Sequence, residues 1–204
     1  MVSRTVTIDA TAQHEKSPDL ATVTALAIGG AGTPSDARAI ATDRAATLRE
    51  SITDVSADRI RTVEIQVQDT DEMFESDTET AFQGTVRLQV DCVPENAKSV
   101  VVAVTNAGGT VQGVQFQLHE SERRGLQNRS ITSAMERARE KAEQIAAAED
   151  LDVAGVREVS TNERTTGMES IVDEALASSS DIGLHPTPIT VSEGVEVVYE
   201  LIEK

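Results

Sequence analysis

Small apolar residues occupy one helical stripe of the stretch 122–150, and this stripe limits how the chain can fold. Its members are Ile131, Ala134, Met135, Ala138, Ala142, Ile145 and Ala146. Residues three and four apart share a helix face, so the spacing predicts one long helix after a capping Ser121. Alanine side chains are short, and the surface that covers the stripe must therefore approach the helix closely.

Alternating apolar and polar residues predict strands around this helix. Val6, Ile8, Ala10 and Ala12 alternate with polar neighbours, which is typical of a strand with one buried face. A polar turn at 15–19 leads to a second run at 20–28, so we expect these two strands to form a hairpin. Further strands are predicted at 60–68, 82–93, 111–118, 151–160 and 189–202.

Two shorter helices complete the predicted elements. Thr33 is the expected cap of the first, with Pro34 at its first helical position. The second covers 95–107 and ends at Gly108 and Gly109, a pair typical of a left-handed helix stop. The fold class is therefore α+β, with antiparallel strand hairpins, packed helices and one long alanine-rich helix.

Two polar segments are predicted to be loops. Residues 69–80 form an acidic hairpin tip, and residues 162–188 form a flexible loop with a helical turn near 169–176. Strict alternation in the strand before the tip places Ile65 on the face opposite Ile60. Composition does not change along the chain, so we expect a single domain over residues 1–204.

The chain is strongly acidic. Its 35 Asp and Glu against 18 Lys and Arg give a formal net charge of -17. A field of this sign repels phosphates and anionic lipids, which argues against nucleic acid and membrane partners. Aromatic residues make up only 2% of the chain. Together these features indicate adaptation to concentrated salt, where charges are screened within about 3 Å at 1 M.

Cysteine usage and hydropathy indicate a reducing cytoplasm. Cys92 is the only cysteine in the sequence and cannot form an internal disulfide. No Cys/His spacing is typical of a metal site, so we expect neither a metal nor a cofactor. The first residues carry no apolar signal segment, and no run reaches transmembrane length.

Three stretches carry a family likeness. They are residues 45–49 with 58–62, residues 106–116 around Gly108-Gly109-Thr110-Val111, and the alanine-rich helix leading to 153–159. With the closing strand 195–201 they span nearly the whole chain. In order and spacing the chain resembles the SIMPL-domain family, whose bacterial members are described as periplasmic or outer-membrane immunogenic proteins and oxidative-stress proteins. Its animal members associate with an interleukin-receptor-associated kinase.

The resemblance implies an α+β fold, a non-enzymatic role and assembly into large ring-like oligomers. Two departures concern the envelope role described for exported relatives. Phe82-Gln83-Gly84 stands where members commonly carry a Gly-Tyr-like element, and the export signal of many members is missing. With its acidity, the chain is interpreted as a salt-adapted archaeal member.

Two stretches invite a binding interpretation. Residues 29–35 are rich in glycine between a strand and a helix, but they lack the Gly-Lys-Ser/Thr pattern of a phosphate loop, so we interpret them as a turn with a helix cap. Three carboxylates that could bind a cation follow in the acidic tip, namely Asp69, Asp71 and Glu75. However, Phe74 occupies the position where a calcium loop needs glycine. Whether the 69–80 loop binds cations stays open.

Single polar residues give no catalytic motif. His14, His119 and His185 lie outside any short motif with a nucleophile or a metal partner. Arg123, Arg124 and Arg129 form a basic cluster that fits ion pairs with neighbouring acids or another subunit better than phosphate binding. Cys92 fits a small buried hydrophobe better than a redox sensor. No catalytic, cofactor-binding or metal-ligating residue is predicted.

The leading hypothesis is a cytoplasmic structural or interaction protein that self-associates into a homo-oligomer through its long helix and its sheet edges. Its biological process and any protein partner are not predicted. One alternative is a stress-response or small-ligand-binding module with a pocket between the sheet and the 162–188 loop. The other is a hydrolase that depends on His119 or His185.

Salt adaptation makes the first testable prediction. In dilute buffer the carboxylates repel one another, and molar KCl screens this repulsion, so the melting temperature is expected to rise with KCl. A thermal melt followed by circular dichroism measures the change. Full stability in dilute buffer that KCl leaves unchanged would contradict salt adaptation.

Overall fold

The computed structural model describes residues 4–70, 80–162, 170–171 and 186–204, which form two compact units. The helices are α1 (Pro34–Ser51), α2 (Ala97–Asn106) and α3 (Glu120–Ala148). The strands are β1 (Arg4–Lys16), β2 (Leu20–Ala31), β3 (Ile60–Asp69), β4 (Phe82–Cys92), β5 (Thr110–Gln117), β6 (Leu151–Asn162), β7 (Ser170–Ile171) and β8 (Ile189–Glu203).

Each unit contains one antiparallel sheet. The three-stranded unit has the strand order β1-β8-β6 and contains α3, while the five-stranded unit has the order β3-β4-β2-β5-β7 and contains α1 and α2. Both units combine segments that are distant in the sequence, so no single point of the chain separates them. The predicted α+β class is confirmed; the prediction of a single domain stays a prediction.

In the three-stranded unit, α3 packs on β1 and β8 through the alanine stripe. Ala134, Ala138 and Ala142 are fully buried there. The sheet side of this core is Ile8, Ala10 and Ala12 on β1 and Val195, Val197 and Tyr199 on β8. Short side chains on the helix let its backbone approach the sheet, and one tyrosine supplies the bulk that the alanines lack.

In the five-stranded unit, α1 and α2 cover the same face of the sheet. The central strand β2 contributes only small residues to that face, namely Ala21, Val23, Ala25 and Ala27. Phe116 on β5 is the largest fully buried side chain among the described residues. The predicted capping of α1 is confirmed, because Thr33 Oγ1 accepts a hydrogen bond from Asp36 N at 3.3 Å and Pro34 opens the helix.

Glycines let α1 lie close to the sheet. A Cβ on Gly84 would collide with the backbone carbonyl of Ala37, and a Cβ on Gly29 would lie 2.6 Å from Ala41 N. These two glycines are paired across β2 and β4, so the helix crosses the sheet at a place without side chains. The same packing explains why a glycine-rich stretch precedes α1.

The predicted hairpin between the first two strands is wrong. β1 pairs with β8 over its whole length, and β2 pairs with β4 and β5 in the other sheet. The polar turn joins two units instead of two neighbouring strands. Alternation reveals that each run is a strand with one buried face, but it does not reveal the partner strand.

Three further expectations need correction. The helix α3 begins at Glu120 after His119, so Ser121 lies within its first turn and is not the cap. A β-bulge between Thr62 and Glu64 shifts the alternation in β3 and puts Ile65 on the same face as Ile60, because the extra residue rotates the following side chains. The structure places the short strand β7 where a helical turn was expected. Residues 163–169 and 172–185 of the expected loop lie outside the described residues.

The end of α2 matches its prediction. Gly108 adopts a φ of 80°, the left-handed conformation expected after a helix. Within the described ranges, no helix is both long and apolar enough to cross a membrane.

The close approach of α1 predicts an unequal response to two glycine substitutions. Gly84→Ala forces a methyl group against a helix carbonyl and is expected to lower the free energy of unfolding by about 1–3 kcal/mol. The control is Gly113→Ala, which places the same methyl group on β5 where no heavy atom beyond the two chain neighbours lies within 4 Å. Chemical denaturation of both variants measures the difference, and equal losses would contradict the packing argument.

Candidate functional site

A histidine and a serine meet where β1 crosses α3. His14 lies opposite Val191 on the helix-facing side of the sheet, and Ser133 lies in the middle of α3. His14 Nε2 and Ser133 Oγ are 3.2 Å apart, within hydrogen-bonding distance. Both side chains are half-buried, so the contact is shielded but remains reachable from solvent.

This contact borders an open cavity of about 290 Å³ at the surface of the unit. The cavity is lined by His14, Asn128, Arg129, Thr132, Ser133 and Glu136. Five of these six residues come from two turns of α3, and all of them belong to the three-stranded unit. Its volume lies just below the range for small-molecule sites, which is roughly 300–1,000 Å³.

The helix side next to the cavity carries cations that bind the backbone of β1. Arg137 Nη1 donates to the carbonyl of Thr11 at 2.8 Å, and Lys141 Nζ donates to the carbonyl of Asp9 at 3.0 Å. At the other end of the strand, Lys16 pairs with Glu122 at 2.5 Å. β1 is an edge strand, and these side chains occupy carbonyls that would otherwise be open to another strand.

Two opposite charges of the cavity are not used within the described structure. Arg129 and Glu136 are exposed to solvent, and neither forms an ion pair or side-chain hydrogen bond with another described residue. They lie seven residues apart, which is two helical turns or roughly 10 Å along the axis. The cavity therefore offers the Arg129 guanidinium, the Glu136 carboxylate and the contact between His14 on β1 and Ser133 on α3.

Exposed apolar residues form a second notable feature. Some lie on the helices and on β8, and four lie on the edge strands β3 and β6. Val156 and Val159 on β6 are 51% and 45% exposed, although their partners across the ladder, Tyr199 and Val197, are buried under α3. Ile65 on β3 is 48% exposed beside the buried Val86. In each unit, part of one edge strand extends beyond the helix layer.

The comparison with protein families assigns the chain to a family. The model of the SIMPL family, described as a protein of unknown function (DUF541), matches residues 6–199. The chain belongs to the SIMPL family. The comparison with curated proteins found no matching sequence. The match covers both units of the SIMPL chain, from β1 to β8, and confirms the resemblance seen in the sequence.

The structure separates the histidines and the arginines that the sequence singled out. His14 lines the cavity, His119 directly precedes α3, and His185 lies outside the described residues. Arg124 Nε donates to Glu120 at 2.8 Å, which is the expected ion pair with a neighbouring acid, while Arg129 lines the cavity. The His14–Ser133 contact spans 119 residues, so no local motif could have indicated it.

The two stretches considered for ligand binding have different outcomes. Gly29 and Gly30 belong to β2 and Thr33 caps α1, the geometry of a turn with a helix cap. Asp71, Phe74 and Glu75 lie outside the described residues. Within the described ranges, no three His, Cys, Asp or Glu residues are close enough to hold a metal ion.

Cys92 is a buried thiol at the end of β4. Its exposure is 3%, and it packs with the core that α2 covers. Burial raises the pKa of Cys92 from 9.0 to about 11, and the carboxylate of Asp91 adds to the rise. The protonated form therefore prevails at neutral pH, as expected for a small hydrophobe in a core.

The raised pKa predicts slow alkylation. At pH 8 the two-unit shift leaves about 100-fold less thiolate in the folded chain than in the unfolded chain, and burial slows the reagent further. The contribution of this thiol to the free energy of unfolding falls as pH rises from 9.0 to about 11, because the unfolded thiol loses its proton first. Iodoacetamide labelling followed by mass spectrometry measures the rate, with Cys92→Ala as the unlabelled control. Equal rates in native buffer and in denaturant would contradict a buried thiol.

Proposed function

We propose that this SIMPL chain is a non-catalytic interaction protein that self-associates into a homo-oligomer through its open sheet edges. The observation that supports it most is the continuation of the helix-facing side of each sheet onto an edge strand that the described helices cover only in part. Half-exposed Ile65, Val156 and Val159 lie on these strands. Edge strands with exposed apolar residues are sites of pairing with another chain.

The two edges of the three-stranded sheet differ in a way that favours β6. Along β1, Arg137 and Lys141 occupy outward carbonyls, which hinders the approach of another strand. On β6, Val156 and Val159 present apolar surface beside α3. Covering each valine with a second copy contributes roughly 1 kcal/mol, about half of the value for burying the whole side chain.

In the five-stranded sheet, β3 provides the corresponding edge. Its residues Glu64 to Asp69 pair with β4 in regular register beyond the bulge, and the opposite edge of β3 faces no described strand. Ile65 extends the apolar face that α1 covers on β2 and β4. A second chain that covers Ile65 would complete this face.

The alanine stripe of α3 contributes less to association than its composition indicates. Ala134, Ala138, Ala142 and Ala146 are at most 1% exposed, because they pack within their own unit. The alanine stripe is therefore not available as a contact surface between copies, and only the parts of the long helix that border the stripe are. Association is proposed to depend on the strands beside the helix.

Charge links self-association to the proposed salt-rich cytoplasm. Copies that each carry a formal net charge of -17 repel one another in dilute buffer. Screening within about 3 Å at 1 M salt removes this repulsion and leaves the apolar contacts to act. The same charge underlies the proposal that nucleic acid and membrane surfaces are not partners.

The geometry around Ser133 supports a non-catalytic role. A serine nucleophile needs donors aimed at the developing oxyanion, which are often backbone amides. Ser133 lies inside the continuous helix α3, where backbone amides donate to carbonyls of the preceding turn. The His14 imidazole contacts Ser133, and Glu136 forms no hydrogen bond with the imidazole that would orient it as a base. The arrangement therefore suits binding better than acyl transfer.

Edge contacts predict which substitutions dissociate the oligomer. Threonine keeps the branched shape of valine and isoleucine but adds a hydroxyl that is costly to bury. Val156→Thr with Val159→Thr, and Ile65→Thr separately, are expected to shift the mass toward the monomer in molar KCl. Size-exclusion chromatography with light scattering at micromolar concentration measures the mass.

The matched control is Ile202→Thr. Ile202 is 54% exposed, but it lies on the face of β8 that points away from α3. This variant is expected to keep the wild-type mass. A monomeric wild-type chain would refute self-association, and dissociation by Ile202→Thr with intact edge variants would refute the proposed edges.

A further inference from the structure

We propose that the cavity beside His14 and Ser133 binds a small zwitterion whose carboxylate and ammonium groups are several Å apart. Arg129 would hold the carboxylate, Glu136 would hold the ammonium group, and the His14–Ser133 pair would bind polar atoms between them. This ligand site is independent of the sheet edges proposed for self-association.

The charges of the cavity favour a ligand of this kind. Arg129 and Glu136 both line the cavity, and neither is paired with another described residue. A simple anion would be attracted by the Arg129 guanidinium but repelled by Glu136. A simple cation would be attracted by Glu136 but repelled by Arg129. Only a ligand that carries both charges satisfies both side chains.

The overall charge points the same way. A chain with a formal net charge of -17 opposes the entry of any simple anion, even next to one arginine. A zwitterion has no net charge, so the field of the protein does not exclude it. Simple cations are attracted everywhere on this surface, and the cavity would give them little selectivity.

The spacing of the two charges indicates the ligand length. Seven residues of helix separate Arg129 from Glu136 by roughly 10 Å along the axis, and side chains on a helix lean toward its N-terminus. An α-amino acid, whose charges are close together, does not span this distance. An ω-amino carboxylate with a chain of several methylene groups matches it better.

The polar atoms between the charges are held in place. His14 Nε2 and Ser133 Oγ are already 3.2 Å apart, and Thr132 Oγ1 donates to the carbonyl of Asn128 at 3.0 Å. The backbone around them is fixed by Ser130, whose Oγ donates to the carbonyl of Val191 at 3.1 Å. The cavity wall therefore needs little rearrangement when a ligand enters.

Binding of defined probes tests the proposal. Isothermal titration calorimetry at constant ionic strength compares 6-aminohexanoate and glycine with acetate and methylammonium. Wild type is expected to bind 6-aminohexanoate at least about tenfold more tightly than the other three probes, because only this probe reaches both charges. Similar affinities for acetate and 6-aminohexanoate, or no binding at millimolar concentration, would overturn the proposal.

Paired variants identify the two charged contacts. Glu136→Gln is expected to weaken 6-aminohexanoate binding about tenfold while acetate binding stays equal or becomes tighter. Arg129→Gln is expected to lose binding of both probes, and Arg129→Lys to retain part of it. If Arg129→Gln loses 6-aminohexanoate binding while Glu136→Gln binds it like wild type, the Glu136 carboxylate has no role. That result would refute a zwitterionic ligand.

Arg157→Gln provides the control for charge alone. Arg157 is exposed on β6 and does not line the cavity, so this variant makes the same change in net charge as Arg129→Gln. It is expected to bind 6-aminohexanoate like wild type. A loss equal to that of Arg129→Gln would mean that net charge, and not the cavity, governs binding. Circular dichroism melts of every variant ensure that folded protein is compared.

Discussion

Close packing of small side chains between helices and sheets is the constraint on which the structure depends. The chain has few aromatic residues to fill space, so its helices must lie near the strands. α3 does this with an alanine stripe, and α1 does it by crossing Gly29 and Gly84. An extra methyl group at such a crossing has no room, which makes small residues a structural requirement at these positions.

This packing also shapes the surfaces that the proposals use. A narrow stripe covers two strands well, and the third strand of its sheet extends beyond the helix with Val156 and Val159 exposed. The same closeness lets Arg137 and Lys141 reach the backbone of β1. One helix therefore closes one sheet edge and leaves the other open, while the cavity lies along its β1 side.

Much of the fold followed from residue patterns. The strand positions, the Thr33 cap of α1 and the end of α2 at Gly108 depend on neighbouring residues, and local rules capture them. Strand partners did not follow, since β1 pairs with β8 at the far end of the chain. The candidate site was missed for the same reason: His14 and Ser133 are 119 residues apart, and neither residue type is unusual.

The sequence by itself determined the family, the α+β class, the buried face of the first strand and the acidity of the chain. These properties depend on local periodicity or on sums over all residues, which need no knowledge of partners. Only the tertiary structure decided that the first two strands join different sheets, that Ile65 turns to the helix-facing side and that His14 meets Ser133. These features arise from long-range pairing and from a bulge that changes the alternation, and both depend on the competition among many strands for the same core.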